Sequence, residues 1–452
     1  MVHGVAGEIV VAAKGGDRDS LFRLSLVAVA ITLLTLATVP ATRAGGDYAY
    51  VSLAVIAGLL ALAATRIAER TTGARALWLI VGVAVFLRLA LLITEPLLST
   101  DIYRYVWDGK VQAAGINPYG YLPIDETLAG LRDGAIYPNI NRPDYAHTIY
   151  PPVAQMFFFL ATRLGENVTA MRLALLGCEA VTAATVALML MRLGRPLTRL
   201  IAYLWHPLPL WQIANSGHID ALMVALMMLG LWLAVTERPL RAAAALTLGA
   251  LAKPFALLAL PAAWRPWDWK VPLVVIAVAV LCYAPYLSVG WGVFGYLTTG
   301  YLAEEKYATG ENIWPLALWR RLAGVLPGDA LIYFGLSGLI LATMGLSAAR
   351  RAPKTAETAL APIHHIILTF LFLLSPNYPW YFLMATPFVA LLGGAPVWTL
   401  TLGAILLQDE TRLGFFVPLL PRKTVIYAAF LCACAYAAWQ ARREKNGAEG
   451  PA

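Results

Sequence analysis

Charged side chains are scarce in this sequence. Lysine, arginine, aspartate and glutamate make up 13% of 452 residues, against about a quarter in soluble domains. With 60% of residues hydrophobic, that shortage excludes an ordinary water-soluble chain. Cysteine is rare too. Cys178, Cys282, Cys432 and Cys434 all fall in apolar runs, so they read as small buried hydrophobes rather than a disulfide framework or metal site. Sustained alternation of apolar and polar residues is missing, which excludes the strands of an outer-membrane barrel. Acidic residues are the minority charge, 26 against 34 Lys and Arg. In so hydrophobic a chain the basic excess is no nucleic-acid signal, because Lys and Arg mark the cytoplasmic ends of membrane helices. No nucleic acid is expected as a partner; the lipid bilayer is.

What is present in quantity is apolar sequence. Repeated runs of roughly 18 residues or more indicate membrane helices. The expected fold class is all-α, a polytopic transmembrane bundle of about thirteen spans by that length criterion. Spans are placed at 21–39, 48–65, 76–93, 170–191, 197–211, 219–235, 242–263, 271–289, 332–346, 358–374 and 424–440, with two shorter ones before the last. The first run lacks a small-residue cleavage site and reads as a span rather than a signal peptide. Residues 1–20 and 442–452 read as cytoplasmic tails flanking one membrane domain, 21–441. Arg66, Arg70 and Arg75, then Arg192, Arg195 and Arg199, then Arg350, Arg351 and Lys354 are assigned to the cytoplasmic side. The run 242–263 is interrupted by Lys253-Pro254, and broken helices in membranes usually line a cavity.

By this topology the long polar segment 94–169 leaves the third span on the outer face. Between Glu95 and Pro152 it carries seven carboxylates: Glu95, Asp101, Asp108, Asp125, Glu126, Asp133 and Asp144. Arg104, Lys110, Arg132 and Arg142 accompany them. Ser99 or Thr100 caps a helix expected over 101–114, ended by Gly115 and Pro118. Asp101, Tyr105 and Asp108 share one face by their spacing, while Ile102, Tyr103, Val106 and Trp107 suit a helix lying at the interface. Tyr150-Pro151-Pro152 starts a further short helix, re-entrant or interfacial. The connector with His218 and Asp220, the second outer loop at 290–314 and the corner with Tyr378 and Trp380 fall on the same side.

One outward site over a hydrophobic body suits sugar transfer from a lipid phosphate. Phosphate leaves without help from a general acid, so one carboxylate base suffices, unlike the acid and base pair of glycoside hydrolysis. Cations must receive the departing charge. Asp101 is the expected base, with Arg104, Lys110, Arg142 and His147 as nearby cationic or polar groups.

The residues also carry a resemblance. Ser99-Thr100-Asp101-Ile102-Tyr103-Arg104-Tyr105-Val106-Trp107-Asp108-Gly109, then Gly115-Ile116-Asn117-Pro118-Tyr119, then Tyr150-Pro151-Pro152 resemble the GT-C glycosyltransferases. Within them the likeness is to bacterial polyprenyl-phosphate-mannose-dependent mannosyltransferases. Trp205-His206-Pro207-Leu208, Gly217-His218-Ile219-Asp220-Ala221, Leu251-Ala252-Lys253-Pro254 and Asn377-Tyr378-Pro379-Trp380-Tyr381 resemble later blocks of the group. The resemblance implies catalysis on the outer or periplasmic face of the plasma membrane, a polyprenyl-phosphate sugar donor, inversion at the anomeric carbon, and an acidic base in the first outer loop, here Asp101. The expected partners are that donor and a glycan or glycolipid acceptor. Two spans precede the one leading into the loop, where many relatives begin closer to it, and those two have no assigned role.

Candidate substrate-binding residues are Arg104, Asp108, Lys110, Tyr150, His218, Asp220, Lys253, Tyr378 and Trp380. Plainer roles compete with several of them. Asp108 reads first as an ion-pair partner of Arg104, four residues away. Lys253 suits snorkelling as well as phosphate binding. Glu304, Glu305 and Lys306 read as a solvated loop, and Tyr378 and Trp380 as interface-belt aromatics. No cofactor is expected; a divalent metal on Asp101, His218 and Asp220 is the alternative, on which spacing is silent. The competing functions are a transporter or flippase of a lipid-linked sugar, disfavoured by the lack of an inverted repeat, and a GT-C enzyme moving another sugar such as aminoarabinose.

Overall fold

A computed structural model describes residues 2–71, 73–351, 355–409 and 417–448. Among them there is no strand; the chain is all-helical. Among the described residues seven helices are long and apolar enough to cross a membrane: Arg18–Ala68, Ala74–Leu92, Val168–Arg192, Lys270–Phe294, Asp329–Arg350, Ala356–Leu374 and Leu419–Glu444. Shorter apolar helices occupy Pro152–Thr162, Asp220–Val235, Pro379–Leu391 and Ala395–Leu407. The difference from about thirteen expected spans has a physical source. The first of the seven carries two expected spans across a break at Gly46, and the apolar runs at 197–211, 219–235 and 242–263 fold as helices that are interrupted or shorter than the 18 residues of that criterion. Lys354 and the end of the expected C-terminal tail, 449–452, lie outside the described residues.

Helix α1, Val2–Ala68, contains the first two expected spans. It is broken at Gly46, whose φ of 60° and ψ of −149° only glycine adopts readily. Helix α2, Ala74–Leu92, delivers the polar segment. Inside the bundle its Arg88 meets Glu179 through two hydrogen bonds of 2.9 and 2.5 Å, and also donates to the carbonyl of Leu204 at 2.9 Å. Glu179 lies on helix α5, Val168–Arg192, whose N-terminus is capped by Asn167 accepting from the Ala170 N–H.

Between α2 and α5 come helices α3, Asp101–Ala113, and α4, Pro152–Thr162. The Asp101 carboxylate sits in the first turn of α3, where the helix dipole favours it, and Ser99 Oγ accepts from the Asp101 N–H. Gly115, at φ 76°, turns the chain away at the other end. The sequence suggested an interfacial α3. Instead Ile102, Val106 and Trp107 are almost wholly buried, Trp107 beside the Tyr137 ring. The following loop lies over Trp107 and Lys110 through Tyr137 and Leu131, while Ile102 packs against Gly217. Helices α3 and α4 approach closely at Gly109, where a Cβ would stand 2.5 Å from the Phe158 carbonyl oxygen and 2.5 Å from a Thr162 methyl. Gly109→Val is therefore expected to force α3 off α4 at a cost of about 1–3 kcal/mol, read as a lowered melting temperature in detergent. An unchanged melting temperature would show that the two helices slide freely.

Candidate active site

Where the N-terminal end of α3 meets residues 141–150, the Lys253 break and the corner at 378–381, a cavity of about 370 Å³ opens. Asp101 lines it with a side chain 23% exposed. Its Oδ1 accepts a 2.7 Å hydrogen bond from Asn141 Nδ2. Its Oδ2 lies 4.0 Å from His218 Nδ1, beyond hydrogen-bond range. Burial raises the Asp101 carboxyl above its ordinary value, opposed by the Asn141 hydrogen bond and the charges of Lys253 and Arg142.

Lys253 reaches the cavity because the chain breaks there. The helix Pro239–Ala250 ends, Lys253 is extended, and a tighter helix restarts at Pro254–Ala262. The freed carbonyl of Leu251 accepts from the Val153 and Ala154 N–H groups of α4, so the break is satisfied within protein. Lys253 Nζ donates to Asp220 Oδ2 at 2.6 Å and stands 4.8 Å from the centre of the Tyr381 ring. Asp220 is wholly buried at the start of Asp220–Val235.

The opposite wall comes from the second polar loop. Arg142 Nε donates to Glu304 Oε1 at 2.6 Å, and Tyr296 donates to Glu304 Oε2 at 2.8 Å. Burial would raise the Glu304 carboxyl; these two hydrogen bonds overcome that and hold it below the usual carboxylate range. Arg142 takes a φ of 52°, a region non-glycine residues rarely occupy, and thereby aims at Glu304 and Asp101 together. Glu305 is buried and accepts from Asn377 and from Tyr378, each at 3.0 Å. Trp380 stacks on His218 and on Tyr378, with ring centres 4.1 and 4.5 Å apart.

Of the residues singled out from sequence, Asp101, Arg104, Tyr150, Lys253, Tyr378 and Trp380 line the cavity, as do Arg142 and His147. His218 and Asp220 stand behind its wall, one stacked on Trp380 and the other paired with Lys253. Asp108 does not line the cavity. Its Oδ1 accepts from Arg104 at 2.8 Å and its Oδ2 from Thr148 and Gln155 at 2.6 and 2.9 Å, so it serves the packing of α3. Lys110 does not line it either; it pairs with Asp133 at 2.5 Å and with the Leu131 carbonyl. Two other readings change. Glu305 is buried in the cavity wall rather than in a solvated loop, while Glu304, which also lines the cavity, and Lys306, paired with Glu311, stay exposed. Tyr378 and Trp380 pack over the site rather than standing in an interface belt, Trp380 being only 7% exposed. Among the described residues no three His, Cys, Asp or Glu side chains gather as metal ligands would; one Asp220 oxygen, Oδ2, accepts from Lys253. Sequence reasoning missed Asn141, Tyr301 and Tyr381, which lie in segments without periodicity or behind short helices whose register it could not set.

The family model described as Alpha-(1->6)-mannopyranosyltransferase, N-terminal domain, matches residues 1–267. Alpha-(1->6)-mannopyranosyltransferase A of Mycobacterium tuberculosis (strain ATCC 25618 / H37Rv) is 28% identical over 184 residues, covering 40% of this chain and 34% of that protein. The chain thus matches about a third of the length of this curated relative. No solved structure matches significantly. Asp101, Asn141, Tyr150, Asp220 and Lys253 fall within the family match, whereas Glu304, Glu305, Tyr378 and Trp380 lie beyond it. With more than half its residues covered by that model, the chain belongs to the alpha-(1->6)-mannopyranosyltransferase family.

Proposed function

We propose that this protein transfers a hexose, mannose by its family, from a polyprenyl phosphate to a hydroxyl of a glycan or glycolipid at the outer face of the plasma membrane. The observation that carries the reading is Asp101. One carboxylate oxygen is held by Asn141 and the other has no hydrogen-bond partner among the described residues, in a cavity that also presents Arg142 and Lys253. Asp101 Oδ2 takes the proton of the acceptor hydroxyl. The hydroxyl oxygen bonds to the anomeric carbon from the face opposite the phosphate, and the bond from that carbon to the phosphate oxygen breaks. Its electron pair leaves on the polyprenyl phosphate, and the configuration inverts. Arg142 and Lys253 receive the growing phosphate charge. Asp101 then returns its proton to solvent. The mixed aromatic and polar wall of Tyr150, Tyr378 and Trp380 suits a sugar ring.

The direct test is transfer of radiolabelled sugar from synthetic polyprenyl-phosphate-mannose in purified membranes, comparing the parent chain with Asp101→Asn at matched expression. Loss of the base is expected to lower transfer by roughly a hundredfold or more. The fold should not suffer. A folded-state pKa raised above the unfolded value means that ionised Asp101 weighs against folding as pH rises. Asp101→Asn removes that weight, so its melting temperature at neutral pH should equal or exceed the parent's. Equal transfer by both chains would remove Asp101 from the mechanism, and no transfer by the parent would reject mannose as the donated sugar.

The pH profile gives a second test. Activity requires the ionised carboxylate, so kcat/KM should fall on the acid side at a pH above the ordinary aspartate value of 3.8. Asn141→Ala deletes a hydrogen bond that favours the ionised form. The acid limb should then move to higher pH. A limb that stays in place would show that Asn141 does not govern the ionisation of Asp101.

A further inference from the structure

Lys423 has no part in the roles assigned so far. It lies near the start of Leu419–Glu444, a helix long and apolar enough to cross a membrane, and it is 0% exposed. An ionisable side chain in such a place is costly, and its partners show what it is for. An ammonium has three donors and no acceptor. Lys423 Nζ donates to the Asn312 carbonyl at 2.6 Å, to the Ser375 carbonyl, and to Asn377 Oδ1 at 2.8 Å. These oxygens belong to the second polar loop, to the turn after Ala356–Leu374 and to the corner that leads to Trp380. Ser375 makes its turn at a φ of 48°, a region non-glycine residues rarely occupy, and its Oγ accepts from the Trp314 N–H at 3.1 Å.

The bond to Asn377 sets an orientation as well as a position. A side-chain amide accepts at one end and donates at the other. With Oδ1 facing the ammonium, Nδ2 is turned to Glu305, where it donates to Oε2 at 3.0 Å. The reversed amide would set N–H groups against the ammonium and an oxygen against the carboxylate. Asn377 thus joins a buried cation to a buried carboxylate in a low-dielectric interior. Tyr378 holds the other oxygen of Glu305. That oxygen, Oε1, lies 4.0 Å from Arg142 Nη2, and the neighbouring Glu304 accepts from Arg142 Nε at 2.6 Å. The second loop is therefore tied at two places, at Glu305 through Asn377 and at Asn312 by Lys423 itself. It carries the carboxylates that hold Arg142 in the cavity wall.

We propose that Lys423 is a positioning residue of the transfer site: through Asn377 and the backbone of the second loop it sets where Glu304 and Glu305 stand, and so where Arg142 is aimed. This role rests on those proposed above for Asp101 and Arg142. Lys423, Asn377, Glu304 and Glu305 all lie beyond the family match at 1–267, whereas Asp101 and Arg142 lie within it. The C-terminal part of the chain thus completes a site whose base comes from the N-terminal part. A tie that served only to stabilise the bundle would leave the ionisation of Asp101 untouched. The charge of Arg142 is one of the influences that hold the Asp101 carboxyl down. The other groups bearing on it are Lys253, Asn141, His218, Asp220, Tyr105 and Tyr150, and Lys423 bonds to none of them. Withdrawing Arg142 lets the carboxyl rise, and Asp101 then ionises at higher pH.

The test titrates Asp101 by infrared difference spectroscopy on detergent-solubilised full-length chain, its carboxylate band being the one that Asp101→Asn removes. Lys423→Met should move the midpoint upward by about half a pH unit, less than the roughly 1–3 units an adjacent cation is worth. Asn377→Ala breaks the bridge without removing a charge and leaves Lys423 its two carbonyls. It should move the midpoint the same way, which covers the case in which Lys423→Met does not fold. The double variant should move it no further than Lys423→Met alone, the mark of one connected path. Lys306→Met, which removes a surface cation from the same loop, should leave it in place. Where mannose is transferred, the acid limb of kcat/KM should shift in the same order. Loss of folded protein lowers the band without moving its midpoint. An unmoved midpoint in either folded single variant would overturn the proposal, as would additive shifts in the double variant or an equal shift by Lys306→Met. The titration needs no turnover. A parent that transfers no mannose rejects the reaction and leaves this test standing, while an unmoved midpoint rejects Lys423 and leaves the reaction standing.

Discussion

A single buried carboxylate ties the polar segment between α2 and α5 together. Asp108 accepts from Arg104 on its own helix, from Thr148 in the returning loop and from Gln155 on α4. It is 1% exposed. A charge in that setting costs several kcal/mol unless its lone pairs are filled, so the four residues must come together whenever the segment folds. Once they do, α3 is fixed in rotation against α4. Gly109, next along the helix, lets the two backbones close up. Asp101 lies two turns toward the N-terminus of the same helix, and its position at the rim of the cavity follows from that lock.

The remaining polar groups obey the same rule at longer range. Arg88 with Glu179, Lys253 with Asp220 and Arg142 with Glu304 each join residues far apart in the chain. The first pair lies within the bundle and holds α2 to α5. The other two stand at the cavity, where they fix Lys253 and Arg142 in its wall. An apolar bundle gives little directional guidance because its surfaces resemble one another and the surrounding lipid. Buried ion pairs and hydrogen bonds supply that direction. The aromatic stack of His218, Trp380 and Tyr378 does similar work by joining the start of one short helix to the corner before another.

The helical, membrane-embedded character was legible because it depends on composition and run length. The N-terminal half of the site was legible too. Asp101, Tyr150 and Lys253 stand beside strong local signals: a capped amphipathic helix, a Pro-Pro helix start and a Lys-Pro break in an apolar run. Run length did not give the local form of apolar sequence that packs against protein, as at 197–211, which folds as short helical pieces. It misled for Glu305, since a charged loop looks the same whether it faces water or folds back onto Asn377.

By itself, then, the sequence determined the class of fold and the presence of one concentrated polar region, because these follow from local composition, periodicity and capping. Only the tertiary structure decided which charges share a cavity. It turned Asp108 and Lys110 inward to structural partners, put His218 and Asp220 behind the wall, and brought Asn141, Glu304, Glu305 and Tyr381 to the site. Those outcomes turn on distances of a few ångströms between residues up to a few hundred positions apart. Hydrogen bonding and charge pairing in a low-dielectric interior select among arrangements that the one-dimensional pattern leaves equal.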